Sequence, residues 1–245
     1  MALAIRSPLG TAATPYVGAI ARGVLIAFAG AGAWTVLARL NATIRPDLPW
    51  AAGAMALYLL ALVLWLSGVG PPKASATTRR ELLRMWPPQR DAERRAEGLS
   101  TAAIVLLLAA LTVAWIGIGR LTPVPDLSEY PTTIYRWSMF LMSPVVAGVI
   151  EEAAFRGYMQ RGLERLDPRN AVWITSVVFV VSHITHGLDA VILLGPGIFA
   201  ASMLYGHLAL RTGTIVPGMF IHVIGDLTYT YFGVLHGNGR LLFVQ

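Results

Sequence analysis

Residues 137–156 read WSMFLMSPVVAGVIEEAAFR, and the fold turns on how they are read. The run from Trp137 to Ile150 has the composition of a membrane-buried helix. It nevertheless ends in two adjacent carboxylates, Glu151 and Glu152, followed by Arg156. Hydrocarbon offers no water to solvate such groups, so ionisable residues inside a span are rare, face protein or a wet cavity, and point to function. On a helix Glu152 and Arg156 lie one turn apart on one face and can pair. Glu151 points about 100° away at 3.6 residues per turn, so Arg156 does not easily neutralise both. One glutamate is expected to be structural and the other available for chemistry.

Composition agrees with a membrane setting. The 245 residues are 56% hydrophobic and 13% charged, against about 25% charged in a soluble domain, and the mean hydropathy is +0.61. A span needs about 20 mostly apolar residues, so the length suits one polytopic helical unit. There is no cysteine, which excludes disulfides, thiolate zinc sites, a cysteine nucleophile and lipidation of the chain itself. The net charge of +6 and pI near 10.1 do not imply nucleic acid as a partner. The basic residues sit in short loops between apolar runs, as the positive-inside bias requires.

Working outward, the apolar runs and their breakers predict an all-α transmembrane helix bundle of about seven spans, or eight with a re-entrant or surface helix. The expected spans run from about 23 to 40, 50 to 69, 101 to 118, 137 to 158, 171 to 194, 198 to 210 and 215 to 234. Gly195-Pro196-Gly197 reads as the break before a short sixth span, and Arg211-Thr212-Gly213 as the next turn. Residues 1–136 then hold spans one to three, residues 137–234 hold spans four to seven, and 235–245 form a short tail. A basic loop at 73–98 carries Lys73, Arg79, Arg80, Arg84, Arg90, Arg94 and Arg95. It reads as a solvated cytoplasmic loop, with 78–86 as a candidate surface helix. Placing it in the cytoplasm puts the N-terminus and Arg156 to Arg169 inside as well, and leaves Arg39 and Arg45 outside. The expected location is therefore a cell (inner) membrane, with the N-terminus cytoplasmic.

This orientation permits a depth test. At 1.5 Å per residue, Glu151 lies roughly 10–15 Å from the inner end of span four, His183 about 18 Å along span five and His222 about 12 Å along span seven. Three helices can thus bring Glu151, His183, His222 and Asp226 to one layer. Singly, each has a bland reading: a packing histidine, an aspartate satisfying His222 one turn away, a Glu152–Arg156 pair acting as helix glue. Two glutamates, an arginine, two histidines and an aspartate on three spans outweigh it.

Water attack on an amide suits these residue types. Glu151 can take a proton from water as general base, His183 can hold that water or share the proton, and His222 can serve an oxyanion. A serine nucleophile is weaker, because Ser182 beside His183 falls on another helix face. The His-Glu-x-x-His zinc motif is absent. Glu151, His183, His222 and Asp226 are still ligand types for a divalent metal such as zinc, and the sequence is equally compatible with none.

At this point the chain resembles a known family, the CAAX prenyl endopeptidase and bacteriocin-processing (CPBP, Abi-type) intramembrane proteases. The resemblance lies in three motifs in the family's order: Glu151-Glu152-x-x-x-Arg156, Phe179-x-x-x-His183 and His222-x-x-x-Asp226, with Phe155-Arg156-Gly157 beside the first. It covers about 137–234 and implies a helical membrane endopeptidase. By that likeness Glu151 and His183 position the water, Glu152, Arg156 and Phe179 support them, and His222 with Asp226 faces the oxyanion. The family's last position accepts Asn or Asp; an ionised Asp226 would repel an oxyanion, so it is protonated, orients His222 or ligates a metal. The expected partners are the bilayer and a membrane-associated protein or peptide processed at its C-terminus or leader. The competing classes are a proton-coupled transporter using Glu151, His183 and Asp226 as a relay, and a scaffold binding anionic lipid through the basic loop.

Overall fold

The computed structural model describes residues 9–85 and 133–235. Every regular element among them is helical. The expected span at 101–118, most of the loop before Arg136, Arg90 to Arg95 and the tail from 236 lie outside the described residues.

The chain enters as α1 (Leu9–Ala27), passes through a wider π segment, Phe28–Gly32, and continues as α2 (Ala33–Ile44). The first helix is therefore longer than expected, and it includes Arg22. Its stretch Pro15–Ile44 is long and apolar enough to cross a bilayer, whereas Trp50–Leu66, Ala171–Thr185 and Val216–Leu227 are shorter apolar helices. Asn41 fastens the first turn: its amide donates to the carbonyls of Arg45 and Leu48 at 2.7 and 2.8 Å, and its oxygen accepts the Ala51 N–H at 2.9 Å. That opens α3 (Trp50–Leu66), a helix apolar on all sides. Large apolar side chains stand exposed on most of the long helices, among them Leu25, Val36, Leu60, Val63, Trp173, Ile192 and Phe220. Exposed large apolar side chains in such number mark a surface suited to lipid or partner contact.

The basic loop is not simply solvated. Ser75 caps α4 (Ala76–Leu82) by accepting the Thr78 N–H, and Arg79 is only 2% exposed. Its guanidinium donates to the carbonyls of Trp65, Val69, Gly70 and Pro72 at 2.5–2.8 Å, and lies over the Trp65 ring. The end of α3 leaves carbonyls without intrahelical donors, and one planar cation satisfies several at once. Charge in this stretch is thus spent on folding. Arg79→Ala is expected to lower stability by about 2–3 kcal/mol, read as a lower melting temperature in detergent.

The central helix is α5 (Thr133–Val146), extended by a π segment, Ala147–Gln160, and the turn α6 (Arg161–Glu164). It runs antiparallel to the first helix: Gly23 lies against Met159, Gly30 against Ile150, Trp34 against Ser143 and Ala38 against Tyr135. A π stretch widens the helix and appears mostly at functional sites; here it contains both glutamates.

Asp167 then turns the chain, its carboxylate accepting from Asn170 at 2.7 Å, and that bond holds its carboxyl below the ordinary carboxylate range. α7 (Ala171–Ser182) follows, and a single 3₁₀ turn, His183–His186, ends it. The break falls here and not at Gly195-Pro196-Gly197, which sits inside the continuous α8 (Leu188–Thr212). Gly187 takes φ +110°, a conformation that side-chain-bearing residues rarely adopt. Pro196 is accommodated because neighbouring helices and local adjustment can satisfy the carbonyl it frees. The fifth expected span is accordingly shorter, and the sixth longer. Gly187→Ala is expected to cost about 1–3 kcal/mol in backbone strain, measured by the same melt. The last element is α9 (Val216–Leu235).

Candidate active site

Three elements place the polar residues. Glu151 and Glu152 come from the π segment, Phe179 and His183 from the end of α7, and His222 and Asp226 from α9. They meet because α9 packs directly on the π segment. At Gly148 the approach is close enough that an added methyl would meet the side chain and backbone of Val223 and the Met219 carbonyl. Gly148→Ala should therefore push α9 outward and carry His222 with it. A displacement of about 1 Å costs roughly 10²-fold in rate, so activity should fall far more than the melting temperature, and comparing the two readouts tests the point.

Glu152 is the structural glutamate. It is 0% exposed, as is Arg156, and the two form an ion pair at 2.8 Å. The same carboxylate oxygen accepts the Nδ1–H of His222 at 3.0 Å. Arg156 also donates to Ser202 Oγ of α8 at 2.6 Å, with its guanidinium 4.3 Å over the Phe179 ring and 5.3 Å from that of Tyr205. A buried charge is tolerable only when paired and hydrogen-bonded, and here aromatic faces supply further contact to the cation.

His222 is the hub. With Nδ1 engaged by Glu152, its Nε2 stands 3.6 Å from Asp226 Oδ2 and 3.9 Å from Glu151 Oε2. Both distances exceed hydrogen-bond length, so Nε2 lies between two carboxylates without being locked to either. The Tyr205 ring stacks on the imidazole at 5.2 Å and fixes its plane.

Glu151 and His183 border the same cavity. It measures about 730 Å³, and its wall also includes Phe28, Trp34, Arg39, Ser143, Phe155 and Ser182. His183 Nδ1 is 2.7 Å from the Phe179 carbonyl. A carbonyl only accepts, so that nitrogen carries the proton and Nε2 is the ring's acceptor. Ser182 shares the wall after all, because the helix tightens at His183. Its hydroxyl donates to the same Phe179 carbonyl at 2.7 Å. The Phe179 ring packs edge-on against Phe155 and His183, at centroid distances of 5.0 and 4.7 Å.

The first helix forms the second wall of this cavity and, with Ser202 and Tyr205, was not foreseen as part of the site. Ser202 and Tyr205 are one turn apart on α8, but serine and tyrosine are ordinary in apolar helices and gave no signal. His207 is exposed and stands apart from the site.

Among the described residues, no group of three or more His, Asp or Glu side chains is arranged to hold a metal ion. Glu151 and Asp226 converge on His222 Nε2, while His183 lines the same cavity as Glu151.

Residues 133–228, the segment carrying all seven of these candidate residues, match the family model described as Type II CAAX prenyl endopeptidase Rce1-like. No curated protein and no solved structure matches the chain.

Proposed function

We propose that the chain, whose residues 133–228 match the Rce1-like family model of CAAX-type peptidases, is an intramembrane endopeptidase in which Glu151 activates water. Its substrate in this reading is a membrane-associated protein or peptide, cleaved near its C-terminus or leader. The observation that carries the proposal is the placement of Glu151 and His183 on one cavity wall while Glu152 and Arg156 are sealed behind it.

The steps follow from that placement. A water molecule donating one proton to Glu151 and the other to His183 Nε2 presents its lone pairs to a peptide carbonyl. Attack transfers a proton to Glu151, which returns it to the leaving nitrogen as the C–N bond breaks. His183 keeps its acceptor on the water side because Nδ1 is spent on Phe179. His222 stands beside Glu151, held at Nδ1 by Glu152, and offers Nε2–H to the developing oxyanion. Asp226 retains that proton on Nε2, a role open to an aspartate at a position where an asparagine would donate directly. The bundle is embedded in the cell membrane with its basic end, bearing Arg22, Arg84, Arg161 and Arg165, toward the cytoplasm.

Comparing the termini of membrane proteins between cells carrying the wild-type chain and cells carrying Glu151→Gln tests the reading. A precursor that accumulates only in the mutant identifies substrate and reaction together. An unchanged set of termini, with pH-dependent solute flux lost instead, would replace the peptidase with a carrier.

A further inference from the structure

The strained point of the fold lies away from the cavity, where the chain leaves α4 and meets the base of two other helices. Arg84, two residues past the end of α4, has φ +56° and is the one non-glycine residue with a positive φ among the described residues. Side chains make that conformation costly, and it persists only where the surroundings impose it, often at functional sites. Three contacts impose it here. The Leu83 carbonyl lies against Gly157 of the central helix, where a methyl group on that glycine would collide with it. The Arg84 carbonyl accepts the Ile215 N–H, at the foot of α9, at 2.9 Å. The Arg84 guanidinium, nearly buried, pairs with Glu164 at 2.7 Å. The Leu83 side chain completes the wedge, buried with Ala153, Ala209 and Ile215.

The wedge joins the two helices that carry Glu151 and His222. At one level α9 touches the central helix directly, where Val223 and Met219 pack on Gly148. Eight residues back along α9, about 12 Å, Ile215 is tied to the central helix through Leu83 and Arg84. Glu151 lies between Gly148 and Gly157 on one helix, and His222 between Ile215 and Val223 on the other. Their facing atoms, Oε2 and Nε2, are 3.9 Å apart. Apolar packing at Gly148 alone tolerates a pivot of α9; a hydrogen bond and an ion pair at the base fix its angle.

We propose that Arg84 is a positioning residue for the hydrolysis: wedged between Gly157 and Ile215, it sets the angle of α9 to the central helix and so the separation of Glu151 and His222. The inference rests on the peptidase reading above and goes beyond it. Arg84 lies outside the segment that matches the family, so this support comes from the chain's N-terminal half. It also gives Gly157, the last residue of Phe155-Arg156-Gly157, a use: the glycine admits the Leu83 carbonyl. Arg84 is not among the residues lining the cavity, so its loss acts on turnover and leaves substrate binding alone.

Cleavage kinetics and a distance measurement on the full-length chain in detergent test this together. The chain has no cysteine, so cysteines placed at Leu141 of α5 and Phe220 of α9, both exposed, take nitroxide labels at those two sites only. Electron–electron resonance between the labels reads how the two helices are set. Arg84→Gly accepts the positive φ but removes the guanidinium. Gly157→Ala keeps the guanidinium but drives the Leu83 carbonyl away. Both should shift the mean label distance by about 1 Å or more and lower kcat by about 10²-fold with KM unchanged, the loss that such a misplacement brings. Arg84→Lys should keep the wild-type distance and most of the turnover, because the pair with Glu164 runs through one guanidinium nitrogen. Where Arg84→Gly does not fold, Gly157→Ala and Arg84→Lys carry the test. A wild-type distance in Arg84→Gly and Gly157→Ala overturns the proposal. So does a shifted distance without loss of turnover, a rise in KM at unchanged kcat, or a fall in kcat that only follows the melted fraction. If the wild-type chain cleaves no peptide the peptidase reading fails by itself, and the label distances still decide whether Arg84 sets the two helices.

Discussion

Glu151→Gln will lower cleavage by about 10²–10⁴-fold, the usual contribution of a positioned general base, while the protein still inserts and melts at its normal temperature. The amide keeps the shape and polarity of the carboxylate but cannot take the proton of the attacking water. The closest pairings belong to the other carboxylate: the ion pair with Arg156 and the bond to His222 Nδ1 are both made by Glu152, whereas Glu151 stands 3.9 Å from His222 Nε2. Purified protein, a fluorescence-quenched peptide carrying the cleavage sequence, and a thermal melt of the same preparation check both halves. A loss of activity accompanied by a lower melting temperature would mean that Glu151 is structural and that the roles of the two glutamates are reversed.

Arg156→Ala will destabilise the bundle by about 3–5 kcal/mol, because removing one partner leaves a buried carboxylate uncompensated. Its guanidinium joins Glu152 of its own helix to Ser202 of α8 and fills the space between the Phe179 and Tyr205 rings. Arg156→Lys is no conservative change here, since a point ammonium cannot serve two acceptors in a plane while stacking on a ring. The double substitution Arg156→Met with Glu152→Leu should recover much of the stability while remaining inactive, because His222 then loses its Nδ1 partner. Melting temperature separates the single from the double variant, and the cleavage assay shows that both are silent.

The pairing of the polar groups was more legible in the chain than the helix boundaries were. Glu152 and Arg156 are four residues apart in an apolar run, and that spacing alone dictated their pairing. His222 and the two glutamates announced themselves as ionisable groups where hydrocarbon tolerates few. The break near residue 187 was harder to see. Gly195-Pro196-Gly197 is a strong breaker signal in water, but inside a packed bundle it continues as helix, whereas the positive φ at Gly187 requires a turn. The basic loop misled in a similar way. Arg79 looked like solvated charge because its acceptors are carbonyls at the end of α3, and backbone atoms leave no mark in a sequence. The cavity wall supplied by the first helix carries no motif: its lining is mostly small and apolar, with Thr35 and Arg39 as its polar members.

The polar residues of the central helix continue past Arg156 at intervals of four: Glu152, Arg156, Gln160 and Glu164. Gln160 donates to the Gly206 carbonyl at 3.0 Å and to Glu164 at 2.8 Å, and Glu164 is held by Arg84 at 2.7 Å. On α8 the matching contacts, Ser202 and Gly206, are also four apart. Sliding one helix past the other by a turn would therefore strand several polar groups inside the protein at once, each costing about 1–3 kcal/mol. These two helices are expected to have a single permitted register. Piston-like gating between them is closed off, so these two helices move as one block.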